Sequence, residues 1–197
     1  MITGPSFFWL LLTVAYLLGG IPFSAIVTRL KGVDLTAIGS GNFGATNVYR
    51  ALGFRYALLV FALDAGKGAL ATWWATTMFE SLIIHIIVGF VAIFGHSFSL
   101  FLGFKGGKGV ATAAGVFSVI TPIPFGITFV AVIAVIYATR MVSVGTLLAC
   151  VLLPVLLVVF NEPMMLVRLV GIIAGFIIWR HRGNISRILK GTEHKIS

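Results

Sequence analysis

Three segments of this 197-residue chain combine glycines with lysine, arginine or polar side chains, a composition typical of anion-binding loops. Glycines let backbone N–H groups turn around an anion, and the positive end of a following helix adds to the attraction. The pattern therefore predicts phosphate binding. The segments are residues 37–50 (AIGSGNFGATNVYR), 95–112 (GHSFSLFLGFKGGKGVAT) and 181–195 (HRGNISRILKGTEHK).

The first segment contains the pattern G-x-G-x-x-G at Gly39–Gly44. A dinucleotide site would need a strand before this pattern and a βαβ unit around it, and the sequence predicts neither. A helix is predicted to start near Ala45. On that helix Thr46, Asn47 and Arg50 lie three and four residues apart, so they can face one ligand. The alternative is a plain turn after a membrane span.

The second segment resembles a nucleotide-binding P-loop but departs from its spacing. Only three residues separate Gly103 from Gly107, and Gly109 replaces the Ser or Thr that holds magnesium, which argues against nucleotide hydrolysis. Lys105 and Lys108 among four glycines still predict a phosphate nest that leads into a helix near residue 110. A flexible loop without a ligand is the alternative.

The third segment is predicted to form a short amphipathic helix on the membrane surface, with Asn184 as its N-cap and Gly191 as its C-terminal stop. His181 and Asn184 are spaced to point at one ligand. A solvated basic tail is the alternative.

The rest of the chain is strongly apolar, with 59% hydrophobic and 10% charged residues. Apolar runs of membrane-spanning length predict an all-α integral membrane protein, a seven-helix transmembrane bundle formed as a single membrane domain, residues 1–197. The N-terminus lacks the features of a cleaved signal peptide, so the first span is expected to be retained. The predicted spans are 7–28, 54–77, 82–102, 110–121, 123–139, 142–160 and 164–180.

The distribution of charge predicts the orientation. Segments 29–55, 103–109, around 140, and 180–197 hold 12 of the 14 lysines and arginines, so they are expected in the cytosol, with the N-terminus outside and the C-terminus cytosolic. The net charge of +9 does not indicate nucleic-acid binding, because no folded polar domain carries it. All three glycine-rich segments then face the cytosol.

The sequence offers anion-binding groups but no established catalytic set. It contains no H-E-x-x-H motif or paired Cys/His cluster, so neither a metal nor another cofactor is expected. Neither an H-x-x-x-x-D acyltransferase motif nor a Ser-His-Asp arrangement is present. This inventory suits a pre-activated donor and two phosphate-bearing substrates. A buried pair in the second span, Asp64 and Lys67, is either a structural link or a functional site.

The three segments resemble the cytosolic motifs of the bacterial acyl-phosphate:glycerol-3-phosphate acyltransferase family, and DAGKG at 64–68 resembles a further family feature. The resemblance implies transfer of a fatty acyl group from acyl phosphate to the sn-1 hydroxyl of glycerol 3-phosphate. The site would face the cytosol from the bacterial inner membrane. Membrane lipid, acyl phosphate and glycerol 3-phosphate are the implied partners, with no nucleic acid and no obligate protein partner.

The resemblance also implies site residues. A phosphate oxygen of a bound substrate is the favoured proton acceptor and His96 the alternative, while Glu193 is expected to brace basic residues. Ser40, Arg50, Lys108 and His96 are the implied catalytic residues. The implied substrate-binding residues are Gly41, Asn42, Gly44, Thr46, Asn47, Lys105, Gly106, Gly107, Gly109, Thr112, His181, Asn184, Arg187 and Glu193.

Two other functions fit the same cationic loops. A transporter or exchanger of phosphate esters would use them, but it usually places its site near the membrane midplane between two half-repeats, and no such repeat is visible. A non-catalytic membrane subunit that binds anionic lipid is the other alternative.

Overall fold

A computed structural model describes residues 5–196, with side chains from residue 6 onward. The N-terminus, predicted to lie outside, and the end of the predicted domain at residue 197 fall outside the described residues. Within them the chain folds into α-helices joined by loops and two short 3₁₀ turns, without named strands. The helices are α1 (Pro5–Gly20), α2 (Phe23–Arg29), α3 (Ala45–Leu52), α4 (Phe54–Met78), α5 (Leu82–Ser97), α6 (Val110–Ile120), α7 (Pro122–Thr139), α8 (Val142–Val159), α9 (Met164–Arg180) and α10 (Arg182–Leu189).

The chain forms two compact units, the first ending at Ile120 and the second beginning at Thr121. In the first unit α1 packs against α5, while α4 packs against both α5 and α6. Glycines at these crossings let the backbones approach closely, as is common between membrane helices. The close pairs are Gly19 with Ala92, Gly68 with Thr112, and Gly115 with Ala65.

The first predicted span, 7–28, is broken in the structure. Helix α1 ends at Gly20 and α2 begins at Phe23, with Pro22 as the residue before it. Proline lacks the N–H that would continue the helical ladder. The Lys67 side chain on α4 donates to the carbonyl oxygen of Ile21 at 2.8 Å, so a buried lysine satisfies the backbone at this break.

The other predicted spans coincide with helices α4 to α9, although the third ends five residues earlier than predicted. Helix α5 stops at Ser97 instead of residue 102, because the chain turns through a 3₁₀ segment at Leu100–Leu102 toward the glycine–lysine loop, residues 103–109. In the second unit α7 packs against α8 and α8 against α9.

The described residues include three stretches that are long and apolar enough to cross a membrane: Ser6–Arg29, Pro122–Thr139 and Val142–Val159. The pair α9 and α10, bent by 61°, adds a fourth if it is one span. Helix α4 is 25 residues long but contains charged residues, and α6 has only 11 residues. Eleven residues extend about 16 Å, roughly half the hydrocarbon thickness.

Candidate anion-binding site

The first glycine-rich segment folds back onto the helix that follows it. Helix α3 starts at Ala45, as predicted. The Nδ2 group of Asn47 donates to the carbonyl oxygens of Leu35 at 3.1 Å and Ile38 at 3.0 Å, and the Ser40 N–H donates to Asn47 Oδ1 at 3.3 Å. Asn47 is only 2% exposed. Its amide therefore holds the loop in place, whereas the sequence placed it facing a ligand.

Arg50 packs over this same loop. Gly39 adopts a left-handed conformation, with φ of +55°. A side chain there would lie 2.6 Å from Asn47 Oδ1 and 3.1 Å from Arg50 Cδ. The glycine thus lets the loop touch both side chains of α3, and the loop path fixes where Arg50 lies.

Other polar groups of the segment are more open. Ser40 is exposed, and Thr46 is half-buried. The Oδ1 atom of Asn42 is buried and accepts no hydrogen bond from the described residues. A buried acceptor of this kind usually has a partner. An incoming hydroxyl or ammonium group would satisfy it.

Two hydrogen bonds between α1 and the second segment anchor the start of that segment. The Tyr16 hydroxyl donates to the Phe98 carbonyl at 2.7 Å, and the Ser99 hydroxyl donates to the Gly20 carbonyl at 2.6 Å. The Phe104 N–H then donates back to the Ser99 carbonyl at 2.8 Å. These contacts set where the glycine–lysine loop leaves α5.

The glycine–lysine loop lies directly against His96. The Gly107 N–H donates to the His96 carbonyl at 3.2 Å. A side chain at Gly106 would collide with that carbonyl, and one at Gly107 would collide with His96 Nε2. The side chain added at Gly107 would also lie 2.8 Å from the carbonyl oxygen of Phe43. Gly107 therefore marks the point where the first and second segments meet.

The loop leads into α6, which begins at Val110 as predicted. Thr112 in the first turn is fully buried, and its hydroxyl has no hydrogen-bond partner among the described residues. The start of this helix thus combines N–H groups, the lysines Lys105 and Lys108, and a free hydroxyl. Such a combination suits a phosphate oxygen.

His96 has a charged neighbour on α4. Its Nδ1 lies 3.5 Å from Asp64 Oδ1, and the same oxygen lies 2.7 Å from Lys67 Nζ. All three side chains are nearly excluded from solvent. The buried Asp64–Lys67 pair of the second span thus also contacts His96, one of the predicted site residues.

The third segment belongs to the second unit and is organised by Glu193. Asn184 donates to the Glu193 carboxylate at 2.5 Å, Ser143 at 2.9 Å and Arg187 at 2.8 Å. Burial alone raises the pKa of Glu193, but these hydrogen bonds outweigh it and hold the pKa below its ordinary value. The expectation that Glu193 braces a basic residue is confirmed. Ser143 was not expected here.

The prediction that Asn184 caps a helix is wrong. Helix α10 begins at Arg182, and His181 occupies the capping position. Asn184 is the third residue of the helix, and its side chain donates a hydrogen bond to Glu193. His181 is buried, and its Nδ1 donates to the Ile177 carbonyl at 2.8 Å. The predicted stop is confirmed, since α10 ends at Leu189 and Gly191 has φ of +69°.

A cavity of about 330 Å³ adjoins the first segment. Thr28, Arg29, Asp34 and Phe43 contribute to its lining. Hydrogen bonds from Thr36, one from its hydroxyl and one from its N–H, lower the pKa of Asp34. None of the predicted site residues lines this cavity.

Helices of membrane-spanning length and composition, without named strands among the described residues, define an integral membrane protein. Comparison with known families defines it further. The chain belongs to the glycerol-3-phosphate acyltransferase family, whose model matches residues 9–191. This range includes the first two segments and most of the third.

Relatives match over nearly the whole chain. Glycerol-3-phosphate acyltransferase 1 of Deinococcus radiodurans is 41% identical over 187 residues, which cover 95% of this chain and 94% of the relative. The glycerol-3-phosphate acyltransferase of Aquifex aeolicus is also 41% identical, over 94% of this chain and 97% of the relative.

A solved structure is also similar. The crystal structure of PlsY (YgiH), an integral membrane glycerol 3-phosphate acyltransferase in its glycerol 3-phosphate form, superposes with a TM-score of 0.92. It is 40% identical, and the match covers 96% of both chains. The all-helical membrane class of the present chain is thereby confirmed.

Proposed function

We propose that this chain transfers a fatty acyl group from acyl phosphate to the sn-1 hydroxyl of glycerol 3-phosphate. The products are 1-acylglycerol 3-phosphate and inorganic phosphate. The observation that carries this proposal is the meeting of two glycine-rich segments at Gly107, in a chain that matches glycerol-3-phosphate acyltransferases along its length.

The bonds in this reaction balance without a cofactor. The sn-1 oxygen forms a bond to the acyl carbonyl carbon, and the bond from that carbon to the phosphate oxygen breaks. Phosphate leaves, and the hydroxyl proton passes to a phosphate oxygen of a bound substrate. Because acyl phosphate is already activated, the protein supplies mainly positioning and charge stabilisation.

The glycine–lysine loop is suited to hold one phosphate. Backbone N–H groups of Gly106 and Gly109 would line it, and Lys105 and Lys108 would supply positive charge. The Gly107 N–H already donates to the His96 carbonyl, so Gly107 is assigned to shaping the loop. The buried hydroxyl of Thr112, which has no partner among the described residues, supports this role.

The first segment is suited to face the same ligands. Its Ser40 is exposed, and its Thr46 and Arg50 are half-buried. All three belong to the segment whose Phe43 carbonyl meets Gly107. Gly41 and Gly44 shape the loop backbone around the buried oxygen of Asn42. Asn47 is assigned to positioning, because its amide already holds the loop backbone.

The third segment is proposed to complete the site with His181, Asn184 and Arg187, while Glu193 positions Asn184 and Arg187. This assignment rests on the motif order in the sequence. The chain is proposed to cross the bacterial inner membrane seven times as a single domain, with these segments at the cytosolic face. Helices α4 to α9 follow six of the predicted spans, and 12 of the 14 lysines and arginines lie in the segments predicted to be cytosolic.

The proton route is testable at His96. If a substrate phosphate oxygen accepts the proton, His96→Gln is expected to lower kcat by no more than about 100-fold, since general bases usually contribute more. A loss of many thousandfold with unchanged KM would show instead that His96 is the base.

A direct assay tests the reaction. The purified chain in detergent, given acyl phosphate and glycerol 3-phosphate, is expected to release phosphate and form 1-acylglycerol 3-phosphate in equal amounts. Acyl-CoA and acyl carrier protein serve as alternative donors. Product formed only from one of these would refute the acyl-phosphate assignment, and no product without a sealed membrane would favour a transporter of phosphate esters.

A further inference from the structure

A series of buried side-chain contacts connects the middle of α4 with the glycine–lysine loop. Lys67 binds the Ile21 carbonyl at the break between α1 and α2, and it pairs with Asp64 at 2.7 Å. Asp64 Oδ1 also faces His96 Nδ1, at 3.5 Å. The other ring nitrogen of His96 lies directly against Gly107.

Burying a charged side chain costs free energy, so the contacts of Asp64 and Lys67 indicate what role each residue has. The side chains of Asp64 and Lys67 are each 2% exposed. A buried ion pair adds little to stability compared with apolar residues of the same size. Lys67 donates a hydrogen bond to the Ile21 carbonyl, which is a structural contact. Among the described residues, Asp64 forms ion pairs only with Lys67 and His96.

The geometry favours one arrangement of the His96 ring. A carboxylate oxygen can only accept a hydrogen bond, and Asp64 Oδ1 has no partner with hydrogen-bond geometry among the described residues, so His96 can serve as its donor only with a proton on Nδ1. The Nε2 atom is then the nitrogen beside the loop. A histidine oriented in this way by a carboxylate keeps both its tautomer and its ring direction.

We propose that Asp64 is a positioning residue that orients His96 and, through the ring, holds Gly107 beside the Phe43 carbonyl. Asp64 itself does not contact the substrates. The consequence for catalysis rests on the proposed acyl transfer, whereas the orientation of the ring does not.

The wild-type protein tests the ring orientation without any activity measurement. Histidines labelled with ¹⁵N in the full chain give tautomer-dependent signals, and those of His96 are identified by their loss in His96→Gln. We expect a proton on Nδ1 that exchanges slowly with water. A ring protonated on Nε2 alone, or averaging between tautomers, would overturn the proposal.

Coupling between the two residues tests how Asp64 acts. Asp64→Asn leaves the charge of Lys67 buried and unpaired, so it is compared with Asp64→Asn/Lys67→Met, which removes both charges together. The combined Asp64→Asn/Lys67→Met change is expected to lower kcat/KM about tenfold more when His96 is present than when His96 has been replaced by Gln. An equal fold-loss in both backgrounds would show that Asp64 acts independently of His96.

A matched control uses the other histidine of α5. His85 lies 2.6 Å from the Phe79 carbonyl, in a stretch without predicted site residues. His85→Gln should leave both the His96 signals and kcat/KM unchanged. If the His96 signals behave as expected but acyl phosphate gives no product, the orientation stands and the proposed function fails.

Discussion

Two glycines on α4, two residues apart, allow a controlled test of how helix packing positions the site. A side chain at Gly68 would collide with the Thr112 carbonyl oxygen and lie 3.0 Å from Thr112 Cγ2. At Gly66 no atom lies within 4 Å. Gly68→Ala therefore pushes the first turn of α6, whereas Gly66→Ala adds the same methyl group without a contact.

Both substitutions have the same effect on helix propensity, so the difference in stability between the two variants measures the effect of packing alone. Replacing glycine by alanine within a helix gains about 1 kcal/mol at either site. At Gly68 the added carbon needs about 3.5–4.0 Å from its neighbours, and overpacking of this kind costs about 1–3 kcal/mol. We expect Gly68→Ala to be less stable than Gly66→Ala by that amount, or about 2–12 °C in melting temperature.

Activity should respond more strongly than stability. A displacement of about 1 Å at a reacting group can cost about 100-fold in rate. Melting in detergent and kcat/KM for glycerol 3-phosphate, measured on both variants, give the comparison. If Gly68→Ala matched Gly66→Ala in both measurements, the close crossing of α4 and α6 would not position the loop.

Three further outcomes are expected. Asn47→Asp keeps the side-chain acceptor but removes both N–H donors. We therefore expect faster hydrogen exchange over residues 38–44 and about 100-fold lower kcat/KM. Unchanged exchange would contradict the positioning role of Asn47. Because the pKa of Glu193 lies below its ordinary value of 4.5, the ionised carboxylate stabilises the fold above that pH. The difference in melting temperature between wild type and Glu193→Gln should therefore shrink as the pH falls below 4.5. A difference that stays constant with pH would refute this. Lys108→Ala should lower kcat/KM at least about 100-fold by removing a phosphate contact, with the exposed Lys190→Ala as control; equal activities would favour a non-catalytic subunit.

The helix starts and the contact of Glu193 with a basic residue were accessible from the sequence. A change from glycine to apolar, helix-forming residues marks the starts at Ala45 and Val110, and both are confirmed. The brace by Glu193 also followed from its charge among basic residues. These features depend on neighbours in sequence, so local rules suffice.

The contacts that decide roles depend on how distant elements rotate and approach. Ser143 reaches Glu193 from fifty positions away, and no local pattern marks it. The link from Asp64 to His96 requires the mutual rotation of α4 and α5. Asn47 turns toward the loop because carbonyl groups there need donors, a demand that appears only once the loop path is known.

The most direct test of the account is a structure of the full chain with glycerol 3-phosphate and a non-reactive acyl-phosphate analogue bound. We predict that Arg50, Lys108 and Asn184 each place a nitrogen within about 3.2 Å of a phosphate oxygen. Phosphates bound without Asn184, or Arg50 and Lys108 opening to opposite sides of the membrane, would contradict a single site built from three segments.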